Sequence, residues 1–476
     1  MDEYDFLVIG SGSGLDVANV AVNRGLSVAI VEKGPLGGTC LNRGCIPSKM
    51  LLYHADVMET VERADEFGIY ATVDDVDFAD IVREVNEAVS ADADSIRRGL
   101  RSSEQHELYE GEARFVDDRT VKVSGGANDG ARLRAETVLV AAGTRPAEPP
   151  IDGIDSVNYL TSTGALQLES PSDRLVIVGG GHIAAELGYF FGTFGSDVII
   201  VGRRPTRRSR PRSRTATPSG STATRATRRS PPSKQASPSR SRPVRTHAGT
   251  VRSPGGEAPV DEADSLEVEG DELLLAAGRG PNSDTPDLAA TGVETDERGS
   301  VETDEYLRTT ADGVWALGDI VGEYLLKHNA NHEARAVIGN LFGEDLEPVD
   351  YGAMPFAVFA SPEVAGVGAR EAELRAAGVD YATRSYPYEE TARGDAMNAE
   401  GLVKVIIDLE GEILGCHIVG LEASNLIEEM VVAMTAGSGT VRDIRESVHI
   451  HPALSEVVQR AFAGQFTRPG QDHDHH

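Results

Sequence analysis

Residues Gly37 to Lys49 read GGTCLNRGCIPSK, and the rest of the chain is best read outward from them. Two cysteines, Cys40 and Cys45, stand between a Gly-Gly turn and the start of a helical pattern. If Cys45 opens that helix, the partial positive charge at the helix N-terminus stabilises a thiolate there. A thiolate with a second sulfur one turn away suits a reversible disulfide that passes electrons by exchange. A structural bridge and half of a metal site are the plainer alternatives. The first needs an oxidising compartment, which nothing here predicts, and the only other cysteine is Cys416. The second needs three or four clustered ligands, and no further Cys or His pair stands nearby; no metal site is expected.

A chain of 476 residues is long enough for three domains with filled cores. Charge begins at position 2 and the apolar run Phe6 to Ile9 is short, so no signal peptide is expected. No stretch approaches the ~20 apolar residues of a membrane span, and the expectation is a soluble, cytoplasmic protein. Net charge is −31, unevenly spread. Arg203 to Gly256 holds fifteen of the 45 basic residues and none of the 76 acidic ones, so the remainder carries 30 basic against 76 acidic residues. Such an excess argues against nucleic acid or anionic membranes as partners of the main body. A high-salt, halophilic setting would screen its self-repulsion.

Tyr4 to Ile9 reads as a buried strand, followed by GSGSGLDVA and a second strand, Ser27 to Val31, ending at Glu32. This is the βαβ unit that grips a dinucleotide: Gly10 makes the turn, Gly12 admits the pyrophosphate, and Glu32 reaches ribose hydroxyls. The third position is Leu15 where Gly is usual, which predicts slightly looser helix–strand packing. Helical spacing covers Cys45 to Glu66 and Phe78 to Glu104, Leu108 to Val123 reads as strands of a small sheet, and TVLVAAGTRP, Thr137 to Pro146, as a strand and turn. A second βαβ unit runs from Leu175 through GGGHIAAE to Val201, with Gly179, Gly181 and Ala184 at the fingerprint positions. Order resumes at LLLAAGRGPN from Leu273, then GVWALGDIV, Gly313 to Val321, and a helix opened by KHNANHEAR, Lys327 to Arg335. His328 and His332 lie at i, i+4 with no third metal ligand in view. Met354 to Phe466 forms a separate α/β unit with strands 403–407 and 415–419 and helices 423–437 and 453–463. It contains HIHPALSE, His449 to Glu456.

These motifs together resemble the flavin-dependent pyridine nucleotide-disulfide oxidoreductases (dihydrolipoyl dehydrogenase, mycothione reductase, glutathione reductase, mercuric reductase) over nearly the whole chain. The resemblance implies an α/β fold of two Rossmann-like domains, for FAD and NAD(P), and a C-terminal α/β dimerisation domain. Its segments are 1–148 and 276–346 for FAD, 149–275 for the nicotinamide, 347–467 for dimerisation, and a tail, 468–476. By the same resemblance Cys45 lies against the flavin and Cys40 exchanges with substrate. Lys49 pairs with Glu186 beside the flavin, and His451 is the general acid–base, oriented by Glu456 and serving the cysteines of the other subunit. Gly10, Gly12, Gly14, Glu32, Lys33, Gly38, Thr39, Lys49, Gly143 and Asp319 are the remaining residues expected to hold FAD. Gly179, Gly181, Ala184, Gly202, Arg203 and Gly278 are expected to hold the nicotinamide dinucleotide. Ala184, Gly202 and Arg203 favour NADP over NAD, and both stay open. The implied reaction moves electrons between NAD(P)(H), FAD, the cysteine pair and a small dithiol or disulfide, in cell redox homeostasis. CLNRGCIPSK is most like dihydrolipoyl dehydrogenases, which would add a 2-oxoacid dehydrogenase complex as partner. LKHNANHEAR and HIHPALSEVV are more like mycothione reductase, so a low-molecular-weight disulfide reductase is the alternative. A non-catalytic flavoprotein whose basic segment binds nucleic acid is a third reading.

That segment, 203–256, is anomalous. From Pro205 to Gly256 there is no Leu, Ile, Phe, Tyr, Met or Trp, and such a stretch cannot bury enough surface to offset its ordering entropy. It begins after a normal strand and ends before another, so residues look replaced, not inserted. Asp and Glu codons of a GC-rich gene, read out of register, give Arg, Thr and Ser. The segment therefore reads as a translated frameshift. Translating codons 203–257 in the other two frames should recover an acidic sequence with alternating apolar residues; two further low-complexity frames would refute the slip.

Overall fold

The computed structural model describes residues 1–103, 105–202, 244–246, 250–253, 256–259 and 266–470. The chain divides into two units, Met1–Val349 and Asp350–His476.

The first unit contains two sheets. In the larger, His106–Glu110, Val28–Glu32, Asp2–Ile9 and Arg132–Val140 run parallel in that order, and Val314–Ala316 joins the last of them, also parallel. The run Phe6 to Ile9 has no polar alternation because both faces are covered. Phe6 and Val8 face the helices Gly14–Asn23 and Lys327–Phe342, while Leu7 and Ile9 face a second core with Phe115, Val121 and Val123. The strands expected as a separate small sheet belong instead to this one: Thr120–Ser124 and Glu112–Asp117 extend it antiparallel beyond Arg132–Val140. The helix expected over 45–66 is Cys45–Glu62 followed by a 3-10 turn, Ala64–Phe67, that ends at left-handed Gly68. The next helix is Phe78–Ser102, N-capped by the Asp77 carboxylate.

The smaller sheet is built on Arg174–Val178, with Asp197–Gly202 parallel on one side and Glu272–Leu275 then Leu160–Thr161 parallel on the other. Most of the anomalous segment lies outside the described residues. Its strand Thr250–Ser253 pairs antiparallel with Asp197–Gly202 and with Gly256–Pro259, so Asp197–Gly202 is not the edge strand of this sheet. Thr144–Pro146 and Arg279–Pro281 form a two-stranded crossing between the two sheet regions.

The second unit is a five-stranded antiparallel sheet (Phe356–Val358, Glu363–Gly368, Ile413–Gly420, Gly401–Ile407, Ala382–Pro387). Helices Glu428–Thr435, Val441–Arg445 and Glu456–Phe462 close over Val403, Val405, Cys416 and Ile418. The helix expected over 423–437 is split into Ala423–Leu426 and Glu428–Thr435, and the last helix begins only at Glu456, three residues beyond its expected start at 453. Among the described residues no helix is long and apolar enough to cross a membrane.

The two Rossmann turns are built alike. A Cβ on Gly10 (φ +102°) would stand 2.3 Å from the Ala141 carbonyl oxygen, and one on Gly179 (φ +137°) 2.1 Å from that of Ala276. Each glycine lets the turn close against the neighbouring strand's end. Leu15 does not loosen the first unit, because the close helix–strand contact is made one residue earlier. A Cβ on Gly14 would meet Val8 Cγ1 at 2.8 Å and Ala141 Cβ at 3.0 Å. Gly14→Ala is therefore expected to cost about 1–3 kcal/mol through overpacking, read as a lower denaturant midpoint; an unchanged midpoint would contradict the contact.

Candidate active site

Cys45 is the first residue of its helix, as the thiolate argument requires, and Cys40 lies in the preceding short helix, Gly38–Arg43. Gly44 closes the gap between them: a Cβ there would sit 2.9 Å from the Thr39 carbonyl oxygen and 3.3 Å from Cys40 Cα. Both cysteines are free thiols, and each shifts the other's proton affinity. Donation from Cys40 stabilises the Cys45 thiolate and, with the Lys49 ammonium, lowers the Cys45 thiol to about 6 against burial and the Glu186 charge. Cys40 moves the opposite way, raised first by its bond to Cys45 and then by burial. The pair thus divides into a thiolate and a thiol that keeps its proton.

Lys49 lies one helical turn beyond Cys45 and donates to Glu186 Oε2 at 2.6 Å. Glu186 is buried, on helix His182–Thr193 of the second βαβ unit. Tyr189, three residues on, places its hydroxyl 2.9 Å from both Asp56 Oδ1 and Glu59 Oε2, so the two helices are tied along their length. Burial first, then the two carboxylates, holds the Tyr189 hydroxyl well above its usual range.

Around the first glycine turn, Glu32 Oε2 accepts from the Ser11 amide (2.9 Å) and hydroxyl (2.8 Å), and Oε1 from the Gly34 amide (2.8 Å). Each oxygen keeps lone-pair capacity for a ribose hydroxyl. No atom lies within 4 Å of a Cβ placed on Gly12, whereas a Cβ on Gly38 (φ +68°) would stand 2.9 Å from Gly12 Cα. A cavity of about 450 Å³ opens there, lined by Ser11, Gly12, Leu15, Gly37 and Lys327 among others. Lys33 is turned to Glu112 at 3.3 Å. Gly143 (φ +62°) makes the turn before Thr144, whose hydroxyl donates to Asp319 Oδ2 at 2.8 Å. Asp319 is held in a 3-10 turn, Gly318–Ile320, braced by the fully buried Glu333: its Oε2 accepts from the Gly318 amide at 2.5 Å and its Oε1 from Asn329 at 2.9 Å.

At the second turn Gly181 caps helix His182–Thr193 and Ala184 is buried in its first turn. Gly202 ends its strand beside Gly180, and Gly278 (φ +126°) follows Glu272–Leu275. Arg203 lies outside the described residues. In the second unit, His451 Nδ1 lies 2.9 Å from Glu456 Oε1; Glu456 is buried, the His451 side chain exposed. Glu456 is lowered by that partner first and by the Ala453 amide.

The family pattern described as "Pyridine nucleotide-disulphide oxidoreductase" matches residues 4–218 and 242–334, and its dimerisation domain matches 354–462. The chain is 36% identical to mycothione reductase of Mycobacterium tuberculosis, over 98% of this chain and all of that one. It is 33% identical to dihydrolipoyl dehydrogenase of Bacillus subtilis, over 96% of each. The chain belongs to the pyridine nucleotide-disulphide oxidoreductases. Among solved structures, the HOCl-induced flavoprotein disulfide reductase RclA of Escherichia coli, as its Cu(II) complex, shares the fold. The TM-score is 0.77 at 24% identity, covering 97% of this chain and 99% of that one.

Members of this family use FAD and NAD(P)H. The residues fit the first: an open glycine cradle, a carboxylate pre-oriented for ribose, and an aspartate at the end of Val314–Ala316. Reading motifs alone missed Glu333, Tyr189 and His449. The His449 ring is buried, its Nε2 2.6 Å from Glu429 Oε1 and its Nδ1 3.2 Å from the Ser447 carbonyl. Only the i, i+4 spacing of Asn329 and Glu333 was visible beforehand. His328 and His332 lie on helix Lys327–Phe342, and among the described residues no three His, Cys, Asp or Glu side chains gather as a metal site.

Cys45 is depressed, so it is ionised above pH about 6 and gains its proton as pH falls through that value. Iodoacetamide labelling of the reduced protein should follow a midpoint near there, and Lys49→Met should move the midpoint upward. A wild-type midpoint at the ordinary thiol value of about 8.5 would contradict the thiolate assignment.

Proposed function

We propose that the chain is a dihydrolipoyl dehydrogenase, with dihydrolipoamide as the dithiol and NAD or NADP as the final acceptor. The observation that carries the redox part is the placement of the pair: Cys45 opens its helix just after Cys40, one turn before Lys49 and its ion pair with Glu186 at the junction of the two Rossmann units. In the oxidised pair, a substrate thiolate attacks Cys40 sulfur and the Cys40–Cys45 bond breaks, releasing the Cys45 thiolate. The second substrate sulfur then displaces Cys40, so the substrate leaves as a disulfide and the cysteine pair holds two electrons more. His451 takes the proton of the first attacking thiol and releases it to solvent, then takes that of the second and gives it to the displaced Cys40 sulfur, its ring held by Glu456 through Nδ1 so that Nε2 is the working atom. Bound FAD supplies the two-electron link from the pair to the nicotinamide.

The matched dimerisation domain and the exposure of Val448, Ile450 and His451 support a homodimer in which His451 serves the partner's cysteines. The apolar-poor composition of 203–256 supports a weakened nicotinamide site, while the mycothione reductase relative, aligned over its full length, bears on the choice of substrate. The same relative favours a second reading, a low-molecular-weight disulfide reductase. The acidic body is consistent with a high-salt setting.

The two readings separate without the nicotinamide. Anaerobic mixing of the oxidised protein with dihydrolipoamide or with glutathione, followed by alkylation and mass analysis of the Cys40–Cys45 peptide, gives each reduction rate. Dihydrolipoamide should win by at least about tenfold; equal or faster reduction by the monothiol would overturn the assignment in favour of the second reading.

A further inference from the structure

The crossing of Thr144–Pro146 with Arg279–Pro281 carries a hydrogen-bond chain that none of the motifs announces. Arg279 Nε donates to Thr144 Oγ1 at 2.8 Å and Nη2 to the Thr144 carbonyl at 2.9 Å. Thr144, itself buried, donates from the same hydroxyl to Asp319 Oδ2 at 2.8 Å. A guanidinium has donors only, and a hydroxyl has one proton. With Arg279 filling a lone pair of Oγ1, the Thr144 proton must leave in another direction, and Asp319 Oδ2 is the acceptor in reach.

The crossing does not need this chain to hold together. The Asn282 side chain donates to the Ala142 carbonyl at 2.8 Å, the Asn282 amide to the Gly143 carbonyl at 3.0 Å, and the Ala147 amide to the Gly278 carbonyl at 3.0 Å. Arg279 is instead a partly desolvated cation facing one carboxylate, Asp319, with Cys45 and Arg43 the other charged groups in its field. Asp319 Oδ2 is thereby engaged, and among the described residues no hydrogen bond is made by Oδ1.

We infer that Arg279 is a positioning residue for the flavin cofactor: through Thr144 it locks the Asp319 carboxylate so that Oδ1 is presented to a hydroxyl of the bound cofactor. The inference rests on the reading that Asp319 meets FAD. It also gives the two joints between the sheet regions a shared task, since residue 144 leaves the first sheet, residue 279 returns from the second, and both converge on residue 319.

The test is the affinity of apoprotein for FAD, followed by flavin fluorescence, in wild type, Arg279→Met, Thr144→Val, the double variant and Thr144→Ser, with thermal melts of each apoprotein. Arg279→Met and Thr144→Val should each weaken FAD about 10- to 100-fold. The double variant should lose little more than either single one, because both break one chain. Thr144→Ser, which keeps the hydroxyl, should bind within about threefold of wild type. Equal affinity in wild type and Arg279→Met, or fully multiplicative losses, would overturn the relay while leaving the flavoprotein assignment standing. If a singly substituted protein fails to fold while Thr144→Ser folds and loses affinity like Thr144→Val, the relay is also wrong, because the hydroxyl would then not matter. A wild-type protein that binds no FAD would overturn both.

Discussion

Everything in the first unit converges on keeping a negative charge on one sulfur. Cys45 starts a helix, takes a hydrogen bond from Cys40 and faces the Lys49 ammonium, and its thiol falls to about 6. Burial and the Glu186 charge push the thiol upward, and the Cys40 hydrogen bond first, then the Lys49 ammonium, overcome them. The ammonium is in turn fixed by Glu186, a residue of the other Rossmann unit. The surroundings of the Cys45 sulfur are therefore completed only when two segments more than a hundred residues apart pack together, and Tyr189 on Asp56 and Glu59 makes that packing a seam.

The two dinucleotide units obey the same steric rule. Gly10 and Gly179 both sit at positive φ against the carbonyl that ends the adjacent strand. The departure at Leu15 illustrates how a fingerprint can be misaligned by one residue without loss of its physics: Gly14 makes the contact that the third glycine makes elsewhere. Asp319 shows the same economy, held from one side by Thr144 and from below by Glu333 through the Gly318 amide.

Much of this was legible in the chain. Strand–glycine turn–strand–Glu32 predicted the first unit, and CxxxxC with Lys49 predicted that Cys45 opens a helix with Cys40 just before it and Lys49 one turn on, because those residues act through local geometry. His451 and Glu456 were legible for the same reason, being five residues apart. What escaped were long-range partners. Nothing near Arg279 points to Thr144, 135 residues earlier, and nothing near Glu333 distinguishes a buried brace from a surface carboxylate. Strands Thr120–Ser124 and Glu112–Asp117 were recognised but assigned to the wrong sheet, since pairing with Arg132–Val140 is set by tertiary register, not by composition. The anomalous segment carries no apolar alternation that would announce a strand, yet Thr250–Ser253 pairs with Asp197–Gly202.

The most direct test of the account is an anaerobic dithionite titration of the FAD-loaded protein, with flavin absorbance and free thiols followed together. The account predicts that wild type takes up one electron pair more than its flavin holds, with thiols appearing on Cys40 and Cys45, and that Cys45→Ser takes up the flavin's pair alone. Equal uptake by the two proteins would contradict the claim that these cysteines form the redox centre.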